Sequence, residues 1–166
     1  MDSDAKQNFD MVRDLRRAIA NNELELYFQP KIDARSGKVT AAEALLRWNH
    51  PKLGLVLPGQ FVPLAERTGL IGPLGDWVIE AACRQARAWR DKGLRMRVAI
   101  NLSAYQMRQD DIVDRIIEAL KRHRIRPSLL TCEITESAAM EDTLATQETF
   151  RRLGEAQLRW HGCGVL

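Results

Sequence analysis

The chain has 166 residues, 45% of them hydrophobic and 28% charged, which are the proportions of one folded domain and exclude wholesale disorder. Twenty-five basic against 22 acidic residues leave a net charge of +3, too mixed a balance for a polyanion-binding field. No apolar run approaches the roughly 20 residues of a membrane span, the first residues carry no signal-peptide pattern, and three scattered cysteines (Cys83, Cys132, Cys163) fit a reducing, cytoplasmic compartment rather than a disulfide framework.

Phe9, Val12, Leu15 and Ile19 recur at helical spacing, which predicts an amphipathic helix over about residues 8–21. Leu24, Leu26 and Phe28 alternate with polar partners as a strand does, and Pro30 should close or interrupt the run. The turn Asp33–Gly37 leads into a second strand, Val39 to Trp48. So short a connection makes the pair an antiparallel hairpin. A Gly- and Pro-rich loop from His50 to Gly59 precedes a short helix, Phe61 to Arg67, and a long one from Leu74 to about Lys92, stopped by Gly93.

Met96 to Leu102 reads as a strand, Ile112 to Leu120 as a helix, Leu129 to Thr135 as a strand and Leu144 to Leu153 as a final helix. The basic run from Lys121 to Arg126 follows a helix, where cations oppose the dipole, and is read as a solvated helix end, so nucleic acid is not expected as a partner. Four strands and alternating helices predict an α/β fold with parallel strands.

In such folds ligands sit at the carboxyl ends of the strands. Asn101 follows Val98-Ala99-Ile100, and Glu133 and Glu136 frame Ile134-Thr135. Glu43 is a carboxylate within the apolar run Ala42 to Leu46, and a buried carboxylate needs a partner or a cation. Oxygen donors on successive strand ends suit a hard divalent metal. The competing reading makes Asn101 a helix cap and pairs the two glutamates with arginines. Arg47, four residues beyond Glu43, would share its face and offer forked donors to a phosphate, or pair with Glu43 itself.

Glu43-Ala44-Leu45-Leu46-Arg47-Trp48 resembles the signature of the EAL domain, the cyclic di-GMP phosphodiesterase family. Tyr27-Phe28-Gln29-Pro30, Phe61-Val62-Pro63-Leu64-Ala65-Glu66, Asn101-Leu102-Ser103-Ala104 and Glu133-Ile134-Thr135-Glu136-Ser137 follow in the family's order. The resemblance implies a TIM-type (β/α) barrel with an antiparallel first strand, here partial. It implies that Glu43, Asn101 and Glu133 hold magnesium or manganese, with Glu43 and Glu133 counted as catalytic, and that Glu136 steadies a neighbouring loop. Gln29 and Arg47 would contact cyclic di-GMP, with Leu46 packed beside it, and the implied product is the linear dinucleotide.

The resemblance covers about residues 9–157, after a tail over residues 1–8. Residues 158–166 (Leu158-Arg159-Trp160-His161-Gly162-Cys163-Gly164-Val165-Leu166) read as a tail outside the family pattern, where the family continues into Asp-Asp-Phe-Gly-Thr-Gly. No carboxylate side chain follows Glu155, and the family's lysine, distal glutamate and last glutamine are also missing, so the chain reads as C-terminally truncated and inactive alone. His161 and Cys163 are too few to replace the missing ligands. The alternative function is a non-catalytic cyclic di-GMP-binding or protein-interaction module. The sheet edge near Leu129 to Thr135 would be open and could pair with a second copy, giving a homo-oligomer.

Overall fold

A computed structural model describes residues 2–163; the Cys163 side chain and residues 164–166 lie outside the described part. The elements are α1 (Asp2–Ala20), β1 (Leu24–Ile32), β2 (Val39–His50), β3 (Gly54–Val56), α2 (Pro58–Thr68), α3 (Ile71–Asp91), β4 (Arg97–Leu102), α4 (Ala104–Met107), α5 (Ile112–Arg122), β5 (Leu130–Thr135), α6 (Glu136–Ala139), α7 (Leu144–Glu155) and β6 (Arg159–Cys163). The fold is α/β, with a mixed sheet in the order β1-β2-β4-β5-β6 and β3 paired to β2. Among the described residues this sheet is open. The chain divides into two compact units, one made of the residues up to Tyr27 with Leu46–Val78, the other of Phe28–Leu45 with the residues from Ile79 onward.

In the first unit α1 lays Leu15 and Ala18 on a core with Leu24, Trp48, Val56, Phe61, Ala65 and Leu74. Trp48 and Phe61 meet edge to face, centroids 5.5 Å apart. β3 runs antiparallel to the end of β2, with Trp48 opposite Val56. The buried His50 fastens this turn. Its Nδ1 accepts from the backbone N–H groups of Lys52 and Leu53 at 3.0 and 3.1 Å, which leaves Nε2 to donate to Asp14 of α1 at 2.9 Å.

In the second unit the start of β2, β4, β5 and β6 are parallel neighbours. Val98, Ile100 and Leu102 of β4 are fully covered on one face, beside Cys132 and Ile134 of β5. In the same unit α5 buries its apolar stripe (Val113, Ile116, Leu120) and α3 buries Cys83 and Ala86. α3 stops at Gly93, whose φ of +79° lets the Leu94 N–H reach back to the Trp89 carbonyl at 2.9 Å.

Three expectations need correction. β1 runs through Pro30 to Ile32, because β1 ends the strand order and an edge strand spares a donor that proline lacks. Among the described residues six strands are present rather than four. β3, with three residues, is too short to show a period. β6 forms from the segment read as a tail and pairs in parallel with β5, Glu133 opposite His161. The open edge therefore lies at β6, and β5 is interior, with Leu130 to Ile134 all buried.

Candidate functional site

Paired residues on parallel strands leave the same face of a sheet, and so do residues two apart on one strand. Glu43 is opposite Ala99, two residues before Asn101; Asn101 is opposite Glu133, and Glu133 is opposite His161. One face of the second unit therefore carries Glu43, Asn101, Glu133 and His161. Asn101 Nδ2 donates to Glu43 Oε1 at 3.3 Å. The three predicted metal-type residues are thus brought onto neighbouring strands on a common face.

Asn101 does not cap the helix after β4. Ser103 does, its hydroxyl accepting from Gln106 N–H at 3.3 Å while the Gln106 side chain accepts from the Ser103 N–H at 3.0 Å. Glu133 is only 3% exposed, and its carboxylate is paired with the Lys31 ammonium of β1. That lysine crosses the face through a cavity of about 230 Å³ lined by Thr40, Ala41, Ala99, Thr131 and His161. A carboxylate this deeply buried needs compensation, and the Lys31 ammonium supplies some of it.

The other predicted residues are placed as follows. Glu136 opens α6 and is exposed, behind a Thr135 hydroxyl that accepts from Ala138 N–H at 3.3 Å. Gln29 is exposed on β1 in the second unit. Leu46 and Arg47 belong to the first unit and are half-buried. Arg47 Nη1 donates to the Leu46 carbonyl at 2.8 Å, and its guanidinium lies 5.6 Å from the Tyr27 ring centroid, so it is held against its own strand with its remaining N–H groups unspent on that contact.

Among the described residues no three or more His, Cys, Asp or Glu side chains form a metal cluster. The set here is different in kind: two carboxylates and one amide oxygen, all hard donors, which fits magnesium or manganese and not a thiophilic ion. The Lys31 ammonium on Glu133 confirms that this face accommodates positive charge.

The EAL domain profile matches residues 12–166. This chain belongs to the EAL domain family. MucR of Pseudomonas aeruginosa, a bifunctional diguanylate cyclase/cyclic di-GMP phosphodiesterase, is 47% identical to the EAL chain over 147 residues, 88% of this chain and 22% of MucR. The cyclic di-GMP phosphodiesterase PdeR of Escherichia coli K12 is 41% identical over 143 residues, 84% of this chain and 22% of PdeR. The solved structure of the PaMucR phosphodiesterase in complex with c-di-GMP superposes with a TM-score of 0.86 at 42% identity, covering 94% of this chain and 66% of that one. The EAL chain thus spans about a fifth of the length of these two relatives. The profile match runs through the segment that forms β6.

Two residues of the site escape a reading by motif. Lys31 lies two residues beyond Gln29, so strand alternation puts it on the same face, but nothing in the sequence shows that β5 is within its reach. His161 was weighed as a replacement ligand beside Cys163; its register with Glu133 comes from a strand whose only large apolar residue, Trp160, packs on Phe150 of α7 at 4.6 Å.

Proposed function

We propose that this chain carries one side of a divalent-metal-dependent phosphodiesterase site that opens cyclic di-GMP to the linear dinucleotide. The observation that supports it is the placement of Glu43, Asn101 and Glu133 on one face, with the Glu43–Asn101 hydrogen bond and the Asn101–Glu133 register. Glu43, Asn101 and Glu133 would hold magnesium or manganese, which when bound lowers the pKa of a bound water and offsets phosphate charge. Gln29 and Arg47 would orient the dinucleotide, Arg47 through the forked donors that suit phosphate, with Leu46 packed beside it. Glu136 would steady the loop behind β5.

The sequence holds no carboxylate beyond Glu155, so a polypeptide of these 166 residues has no second set of acidic ligands to complete a two-metal site. Such a polypeptide binds cyclic di-GMP weakly and turns it over too slowly to measure. Calorimetry with magnesium or manganese present tests the reading: binding should weaken on Arg47→Ala and on Glu133→Gln. Tight binding indifferent to both substitutions would overturn the placement.

The Lys31–Glu133 pair favours a second reading, a non-catalytic cyclic di-GMP-binding module, because a lysine already supplies the charge that a metal would bring. Binding of equal strength with and without divalent metal would select it.

A further inference from the structure

Two basic segments that are separate in the sequence meet in the second unit. The turn after α5 is fastened to the end of α3: Arg87 donates to the His123 carbonyl at 3.0 Å, and Arg90 donates to the Arg124 carbonyl. β4 and β5, which follow these two loops, start side by side, with Val98 opposite Leu130. Lys92 and Arg95 before β4 are thereby collected with Lys121, Arg124 and Arg126 before β5, and all five are exposed. Of the acids nearby, Asp91 is engaged by Arg87 and Arg90, and Glu80 by Arg122 and His123.

The attraction of helix C-termini for cations accounts for Arg90 and Lys121. It does not account for Lys92, Arg95, Arg124 and Arg126, which lie beyond the helix ends. Between Lys92 and Arg95 stands Leu94, 51% exposed, just after the left-handed Gly93. A leucine held out of the fold between cations suits a lipid interface: headgroup phosphates meet the basic side chains, and the apolar side chain enters the acyl boundary. Single-stranded nucleic acid would instead call for aromatic rings on which bases stack, and the two loops carry no Phe, Tyr or Trp.

We propose that this rim docks the protein on an anionic lipid surface. The rim lies at the amino ends of β4 and β5, whereas Asn101 and Glu133 lie towards their carboxyl ends. Docking therefore turns the candidate site away from the lipid and leaves it open.

Vesicle flotation of the full chain tests this, with phosphatidylcholine alone against phosphatidylcholine containing about 30% phosphatidylserine. Binding should occur only to the anionic vesicles, and raising salt from about 0.1 to 0.5 M should release it, since the Debye length then shrinks about twofold. Arg95→Glu with Arg126→Glu should cut the bound fraction at least about fivefold. Leu94→Cys carrying an environment-sensitive fluorophore should shift to the blue on anionic vesicles and not on neutral ones. Absent binding, equal binding to neutral vesicles, or binding unmoved by the two reversals would overturn the proposal. So would tighter binding to a single-stranded RNA than to the vesicles, with the same loss in the variant, since a nucleic acid would then be the occupant. Circular dichroism matching the parent chain shows that the variant is folded.

Discussion

The pairing of Glu133 with Lys31 joins a deeply buried carboxylate to a half-exposed ammonium. Lys31 is 44% exposed, so water screens part of the pair, whereas the carboxylate at 3% exposure has little access to water of its own. Removing the lysine takes one cation from that carboxylate, and Lys31→Met should cost about 1–2 kcal/mol in a urea melt. Removing both charges, Lys31→Met with Glu133→Gln, should cost less than the single change. A Lys31→Met chain as stable as the parent would show that Glu133 finds its compensation elsewhere. The cysteines follow a simpler rule. Burial, with the Glu80 charge adding to it, pushes the Cys83 thiol up to about 12, and burial pushes Cys132 up to about 12. Thiolate, the reactive form, is scarce at both near neutrality. Peptide mapping after treatment with Ellman's reagent at about pH 8 should find both unmodified in the folded chain and both modified in urea. Rapid native labelling of either would contradict the packing around α3 and β5.

At the scale of elements, the ties that matter are short polar ones at strand and helix ends. His50 locks the turn between β2 and β3 to α1 through Asp14, and the hydrogen bond from His50, aided by Arg13, holds the Asp14 carboxyl below the usual carboxylate range. A carboxyl whose folded pKa lies below its unfolded one contributes stability that is complete above about pH 4 and is lost as pH falls through the folded value. Asp14→Asn should therefore lower the melting temperature at neutral pH and flatten the acid side of the stability curve below about pH 4. An unchanged acid limb would remove Asp14 from that account. At the start of α4, Ser103→Ala should cost about 1 kcal/mol, because the Gln106 N–H loses its acceptor. These ties also mark where the sequence was legible. The long helices and β2, β4 and β5 follow from periodicity, since each buries one continuous apolar face. β3 and β6 do not: one is three residues long, and the other takes its place from pairing with β5 rather than from alternation of its own. Strand ends and an embedded carboxylate single out Glu43, Asn101 and Glu133 without tertiary information, the resemblance to the family turns them into expected metal ligands, and the register puts them on one face. Lys31 is not singled out, because its partner is chosen by the curvature of the sheet.

At the scale of the whole molecule, the described sheet has a last strand whose outer side is unpaired. β6 follows β5 in the strand order and nothing follows β6 among the described residues, so one row of its backbone N–H and C=O groups is left for water or for another strand. Trp160 of β6 is 42% exposed despite its contact with Phe150, which adds apolar surface beside that edge. Charge offers little protection, since Arg159 is the only permanently charged residue of the strand. An edge with these features pairs with its like, and two chains joined through β6 would satisfy both rows at once. Light scattering on size-exclusion fractions of the 166-residue polypeptide should show association that grows with concentration. Trp160→Lys places a charge beside the edge, so it should shift the population towards the monomer while leaving the circular dichroism unchanged. If the parent chain runs as a compact monomer at every concentration, β6 is not a working edge. The same fractions, assayed with cyclic di-GMP and manganese, separate assembly from chemistry: turnover that appears only in the associated species would mean that one copy completes the other's site.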